Sequence, residues 1–214
     1  NVTLAGNVSV ATTSGSANGA AINFSGSVNA DNAAANNRTL TLDSGNNGST
    51  IGGDIGNLQP LAGLTVTNAS SATFNSDVFV SDGAGTVNFV DTTSFVKFNG
   101  SLVAGSLLTG SNLFDLYLLG SNNVLSGGPT TLNNTGLVQI GDSATDVSLF
   151  TGGLTVTSAN PNTKIAGFIR TASSAITLQR TSLVSNTTLD TTNNGASAKG
   201  AAITLADGVT FNGF

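Results

Sequence analysis

Apolar residues along this chain recur at every second position in short bursts, and each burst is closed by glycine or a small polar residue. Val2-Thr3-Leu4, Val8-Ser9-Val10, Ile22-Asn23-Phe24, Leu40-Thr41-Leu42, Leu64-Thr65-Val66 and Val78-Phe79-Val80 show it in the first half. Val87-Asn88-Phe89, Val138-Gln139-Ile140, Leu154-Thr155-Val156, Ile176-Thr177-Leu178, Ile203-Thr204-Leu205 and Val209-Thr210-Phe211 continue it. A period of two sends residues i and i+2 to one face of a strand and the middle residue to the other. The Gly, Asn, Asp or Ser that follows accepts the tight turns and left-handed backbone needed at a strand end. The pattern predicts many short strands and almost no helix. Glu is absent, and the 27 glycines interrupt every stretch long enough for helical turns.

Many short strands suit a sandwich, a propeller or a solenoid. Internal echoes favour the solenoid. Gly63-Leu64-Thr65-Val66-Thr67 returns as Gly153-Leu154-Thr155-Val156-Thr157. Ser16-Ala17-Asn18-Gly19-Ala20-Ala21-Ile22 returns as Ser197-Ala198-Lys199-Gly200-Ala201-Ala202-Ile203, an offset of 181 (200 − 19). No strand is marked as an edge, as a sandwich would require. The expected fold is all-β: a single-stranded parallel β-helix, or β-solenoid, with coils of roughly 20–25 residues. Residues 1–181 read as one long repeat unit and residues 182–214 as the start of the next, continuous with the first and matching Asn1 to about Ala33 in structure. Stacked coils about 4.8 Å apart would make a rod roughly 40 Å long, with Val, Ile, Leu and the phenylalanines inside and Asn, Ser and Thr pairing at the turns.

Composition narrows this reading. Charged residues are 8% of the chain and the net charge is −5, so the disorder suggested by so much Asn, Ser, Thr and Gly is disfavoured; 39% of residues are hydrophobic. Arg38, Lys97, Lys164, Arg170, Arg180 and Lys199 stand singly, which leaves no footprint for nucleic acid. No apolar run approaches the ~20 residues of a membrane helix, so no membrane insertion is expected. Leu113-Phe114-Asp115-Leu116-Tyr117-Leu118-Leu119 is the densest apolar run and holds the sole Tyr. It reads as a fully buried strand, with a lateral contact surface as the functional alternative.

The stretches Gly19-Ala20-Ala21-Ile22-Asn23-Phe24-Ser25-Gly26-Ser27-Val28, Thr39-Leu40-Thr41-Leu42-Asp43-Ser44-Gly45, Ile51-Gly52-Gly53-Asp54-Ile55-Gly56 and Leu61-Ala62-Gly63-Leu64-Thr65-Val66-Thr67 resemble repeats of large bacterial exoproteins. These are the filamentous-haemagglutinin-like and autotransporter-like surface adhesins. The resemblance extends in texture over nearly the whole chain. It implies a right-handed parallel β-helix exported as part of a very long chain, with a role in adhesion, biofilm or surface structure. It transfers no functional residue, and the secretion domain and membrane anchor of such proteins have no counterpart among these residues.

Catalytic chemistry has few materials here. Without His or Cys, neither a Ser-His-Asp nor a Cys-His arrangement nor a zinc site can be assembled. The eleven acids are all Asp; the closest pairs are Asp77 with Asp82 and Asp142 with Asp146, and stacking offers Asp31, Asp43 and Asp54 as a further set. No cofactor is expected; calcium is the ion that Asp and carbonyl oxygens would suit, and Gly52-Gly53-Asp54-Ile55-Gly56-Asn57 reads as a Gly-rich turn with a solvated Asp. Thr39/Thr41, Thr65/Thr67 and Thr155/Thr157 suggest an outward threonine array of the kind an ice-binding solenoid needs. The Asn-X-Ser/Thr triplets at Asn7, Asn23, Asn37, Asn68, Asn99 and Asn186 are what chance produces in such a composition.

The expected function is therefore structural and non-enzymatic: a segment of a long extracellular fibre or cell-surface adhesin stalk. The alternatives are a carbohydrate-binding or carbohydrate-cleaving β-helix and an ice-binding solenoid. The expected partners are a continuing chain or an identical neighbour stacked end to end, because Val2, Leu4, Leu205, Val209 and Phe211 are core-type residues rather than caps; surface glycans and neighbouring cells follow from the adhesin reading. An evenly polar surface would suit the fibre. A groove with two Asp beside Tyr117 or a basic residue would suit the carbohydrate alternative.

Overall fold

Register decides the architecture. In the computed structural model, which describes residues 1–31, 38–81, 84–157 and 162–211, every strand pairs in parallel with strands about one turn away in the chain. Successive partners on a first face are Val2, Val28, Ile55 and Val78, then Leu102. A second face runs Val8, Leu40, Leu64, Val87, Leu107, and further on Thr130, Leu154, Ile176, Ile203. A third runs Ile22, Ser49, Ala72, Val96, Leu116, Val138, Thr163, Thr181, Val209. The chain visits the faces in that order and then rises one level, making a three-sided β-solenoid of about 8 turns with no helix among the described residues. The turns are uneven: Val28 to Ile55 takes 27 residues (55 − 28) and Phe168 to Thr188 takes 20 (188 − 168).

Period-two alternation survives intact in three dimensions. In Thr39–Asp43 the leucines Leu40 and Leu42 are buried while Thr39, Thr41 and Asp43 face outward. Inward side chains from all three faces join one continuous apolar cluster along the axis. Phe74 and Phe98, register partners on the third face, stack with ring centroids 4.7 Å apart and planes at 14°. Phe89 enters from the second face and meets both rings edge-on, at 6.2 and 6.0 Å. The stacking distance equals the spacing of hydrogen-bonded strands, so the backbone ladder itself sets the ring contact.

Not every phenylalanine goes inside. Phe74, Phe89, Phe98, Phe114 and Phe150 are buried, but Phe79, Phe95 and Phe168 fall on outward positions and stay half-exposed. Alternation outweighs hydrophobicity here: Val78 and Val80 take the inward sites around Phe79, and Val96 takes the one beside Phe95.

Polar side chains pair across levels at the corners, as expected of stacked Asn and Ser. Asn46 Nδ2 donates to Asn18 Oδ1 (2.9 Å) and Asn99 Nδ2 to Asn75 Oδ1 (3.0 Å). Asn123 is fully inside. Its Oδ1 accepts from the Leu102 N–H of the level before (3.0 Å), and its Nδ2 donates to the Gly120 carbonyl (3.0 Å) and to Ser148 Oγ of the level after (3.1 Å). One amide thus ties three levels together.

The 181-residue echo does not superpose in space. Ile22 lies on the third face, opposite Ser49, whereas Ile203 lies on the second, opposite Ile176. Val8 and Leu189 are likewise one face apart, on the second and first faces. Turn lengths vary, so a constant offset in sequence does not return to a constant position around the axis. No helix covers either end among the described residues, and at the first level Leu4 is only 3% exposed. Ile203 and Leu205 are 43% and 38% exposed, although their partners one level earlier, Ile176 and Leu178, are 0% exposed.

Candidate functional site

Each face presents a different outward column. The first is apolar over four levels, with Phe79, Val103, Val124 and Leu149 in register, and then carries Arg170 and Asp190. The second carries hydroxyls: Ser9, Thr41 and Thr65, then Asn88 and Leu108, then Thr131, Thr155, Thr177 and Thr204. This column holds more threonines than the three Thr-X-Thr pairs suggested. The second column that those pairs would need is missing, because Thr39 faces Gly63, and Asn88 and Leu108 break the first. β-Branched side chains stacked on a pleated surface account for it.

The third face is where chemistry gathers. Lys97, Tyr117, Gln139 and Lys164 stand in register on four successive levels, with Phe95 paired to Asp115 alongside. Phe95, Lys97, Tyr117, Leu119 and Gln139 line a shallow cavity of about 380 Å³. Here the dense apolar run shows its construction. Phe114, Leu116 and Leu118 are buried, so the run is not a fully buried strand; Asp115, Tyr117 and Leu119 point outward. Apolar residues at both parities had concealed the alternation.

Tyr117 Oη donates to Asp115 Oδ2 (3.1 Å), and Asp115 Oδ1 accepts from the Leu137 N–H (2.8 Å). Burial, and then the neighbouring Asp115 carboxylate, push the Tyr117 phenol above its ordinary value. Gln139 Nε2 donates to the Gly141 carbonyl (3.2 Å), which holds the amide beside the ring. Gly141 sits at φ +75° and gives its N–H to the Leu118 carbonyl (2.8 Å). A Cβ there would lie 2.7 Å from the Ala166 carbonyl oxygen, so only glycine fits this corner.

Beyond Gly141, Asp146 closes the loop: its Oδ2 accepts from the N–H groups of Asp142 and Ser143, both at 2.9 Å. Asp142 itself is exposed, and its carboxyl is pushed up, first by partial desolvation, then by the charge and hydrogen bonding of Asp146, with Lys97 pulling the other way. A carboxyl whose folded value lies above its ordinary 3.8 favours the fold when protonated and opposes it when charged. The penalty grows as pH rises from the ordinary value through the folded one, and it persists at neutral pH. Asp142→Asn should therefore raise the melting temperature at pH 7 by about 1–2 °C, as befits an exposed position. The gain should vanish below the ordinary carboxyl range. Thermal melts of both proteins at pH 3 and pH 7 check this; an equal gain at both pH values would refute it.

Asp54 and Asp77 act as corner caps. Asp54 Oδ1 accepts from the Asp77 N–H (3.3 Å), and Asp77 Oδ1 from the Ser101 N–H (2.7 Å). Asp31, Asp43 and Asp54 do not converge: Asp31 pairs with Arg38 (2.7 Å), Asp43 accepts from Thr13 Oγ1 (2.9 Å), and Asp54 from Asn57 Nδ2 (3.0 Å). Among the described residues no three acids are placed to hold a metal ion. Asp82 and Asn37 lie outside the described residues. No family model, curated protein or solved structure matches the chain.

Proposed function

We propose that this chain is a structural segment of a long extracellular fibre or cell-surface adhesin stalk built from tandem β-solenoid turns. The supporting observation is the continuous parallel register of the third face, from Ile22 in the first described turn to Val209 in the last. In such a stack each turn contacts only its neighbours, so turns add length without altering the contacts already made. A low-charge surface and corners closed by Asn, Ser, Thr and Asp caps suit a long, stiff rod, while the groove that brings Asp115, Tyr117 and Lys97 together favours carbohydrate binding as a second reading. The reading is of a non-enzyme. Asp115 has both carboxylate oxygens engaged and Asp146 holds two backbone N–H groups, so these carboxylates serve as acceptors of fixed geometry rather than as a free acid and base.

The test is topographic. Antibodies raised against residues 1–214 should label intact producing cells, and electron microscopy of sheared material should show a thin fibre bearing the same label. Label that appears only after permeabilisation would overturn the proposal.

A further inference from the structure

We infer that the groove around Tyr117 binds a short stretch of neutral polysaccharide. Among the described residues, the rod's third face gathers outward aromatic rings at this groove. Two aromatic rings, Phe95 and Tyr117, sit outward on adjacent levels, about 4.8 Å apart along the axis, with Leu119 extending the apolar floor. Around that floor stand a cation (Lys97), an amide (Gln139) and the Asp115 carboxylate that accepts from Tyr117 Oη.

Three features point to a saccharide. A sugar ring offers one flat C–H face and a rim of hydroxyls that both donate and accept, so it needs an apolar floor with donors and acceptors at its edge. The groove has that composition: Lys97 and the Gln139 amide donate, while Asp115 and the Gln139 carbonyl accept. Second, the charges nearly balance: the Lys97 ammonium lines the groove and the Asp115 carboxylate holds Tyr117, so neither a polyanion nor a cation meets a site of one sign. Third, the site is held in place before any ligand arrives. Tyr117 is fixed by Asp115, Asp115 by the Leu137 N–H, and Gln139 by the Gly141 carbonyl, so little ordering cost remains for binding. The lining comes from three neighbouring levels, so the groove runs along the rod and admits a chain lying parallel to its axis.

The inference does not depend on the rod belonging to a fibre. It can be read directly, since Tyr117 is the only Tyr and the chain has no Trp. Tyrosine emission of the 214-residue protein should change saturably on titration with a soluble β-glucan, mannan or galactan. In affinity electrophoresis the same polysaccharide should retard the protein. Tyr117→Ala, with circular dichroism unchanged, should weaken retardation at least about tenfold, as loss of a central aromatic anchor does. Tyr117→Phe keeps the ring and should stay within a few-fold of the parent. Three outcomes would overturn the proposal: no response to any of the three neutral polysaccharides, retardation by polygalacturonate or heparin alone, or retardation that survives Tyr117→Ala.

Discussion

Phe98→Ala should be the most damaging single truncation in the rod, costing about 3–5 kcal/mol. Phe98 is 0% exposed, stacks on Phe74 and meets Phe89 edge-on, so its removal empties a cavity bordered by three levels of backbone that cannot collapse inward. For a chain of this size the loss corresponds to a fall in melting temperature of about 6–20 °C. Coupling in a solenoid runs only between neighbours, so a weak level in the middle should also divide the unfolding transition in two. Guanidinium titration followed by circular dichroism reads both effects. Phe211→Ala is the control: the same truncation at a 73%-exposed ring should change stability by no more than about 0.5 kcal/mol. Equal effects at the two positions would contradict the interior described above.

Asn123→Ala should cost about 2–5 kcal/mol, although it removes no apolar surface. The amide supplies the acceptor for the Leu102 N–H and donors for the Gly120 carbonyl and Ser148 Oγ, and the residue is 2% exposed. Truncation strands these groups where water does not reach, and a buried unpaired group carries its full desolvation penalty. Asn99→Ala provides the comparison. Its bond to Asn75 is exposed, water replaces it, and the effect should stay within about 0.5 kcal/mol. A loss at Asn123 no larger than at Asn99 would show that the inner amide is not the bracket between levels.

The all-β, parallel, stacked architecture was legible in the residues because it rests on local rules. Leu40-Thr41-Leu42 can place its leucines together only as a strand, and the Gly, Asn and Asp that follow such triplets can only turn. The poverty of helix formers removed the competing period. The Asn and Ser residues at the corners were likewise expected to satisfy one another, and Asn18 with Asn46 does so.

Three things escaped local rules. Leu113-Phe114-Asp115-Leu116-Tyr117-Leu118-Leu119 is apolar at both parities, so its alternation is invisible until the core claims Phe114, Leu116 and Leu118 and leaves Tyr117 outside. The phenylalanines divide by parity rather than by hydrophobicity, and parity is set by neighbours such as Val78 and Val96. The third is alignment between levels. Lys97 meets Tyr117 across 20 residues (117 − 97), and Tyr117 meets Gln139 across 22 (139 − 117). No fixed period predicts both steps, because each corner adds or drops residues according to how its own backbone groups find partners. Sequence by itself determined that strands would form, which side chains could share a face, and that the faces would stack. Which levels face one another, and therefore that a lysine, a tyrosine and a glutamine from separate turns line one groove, was decided only when the parallel ladders closed around a common core.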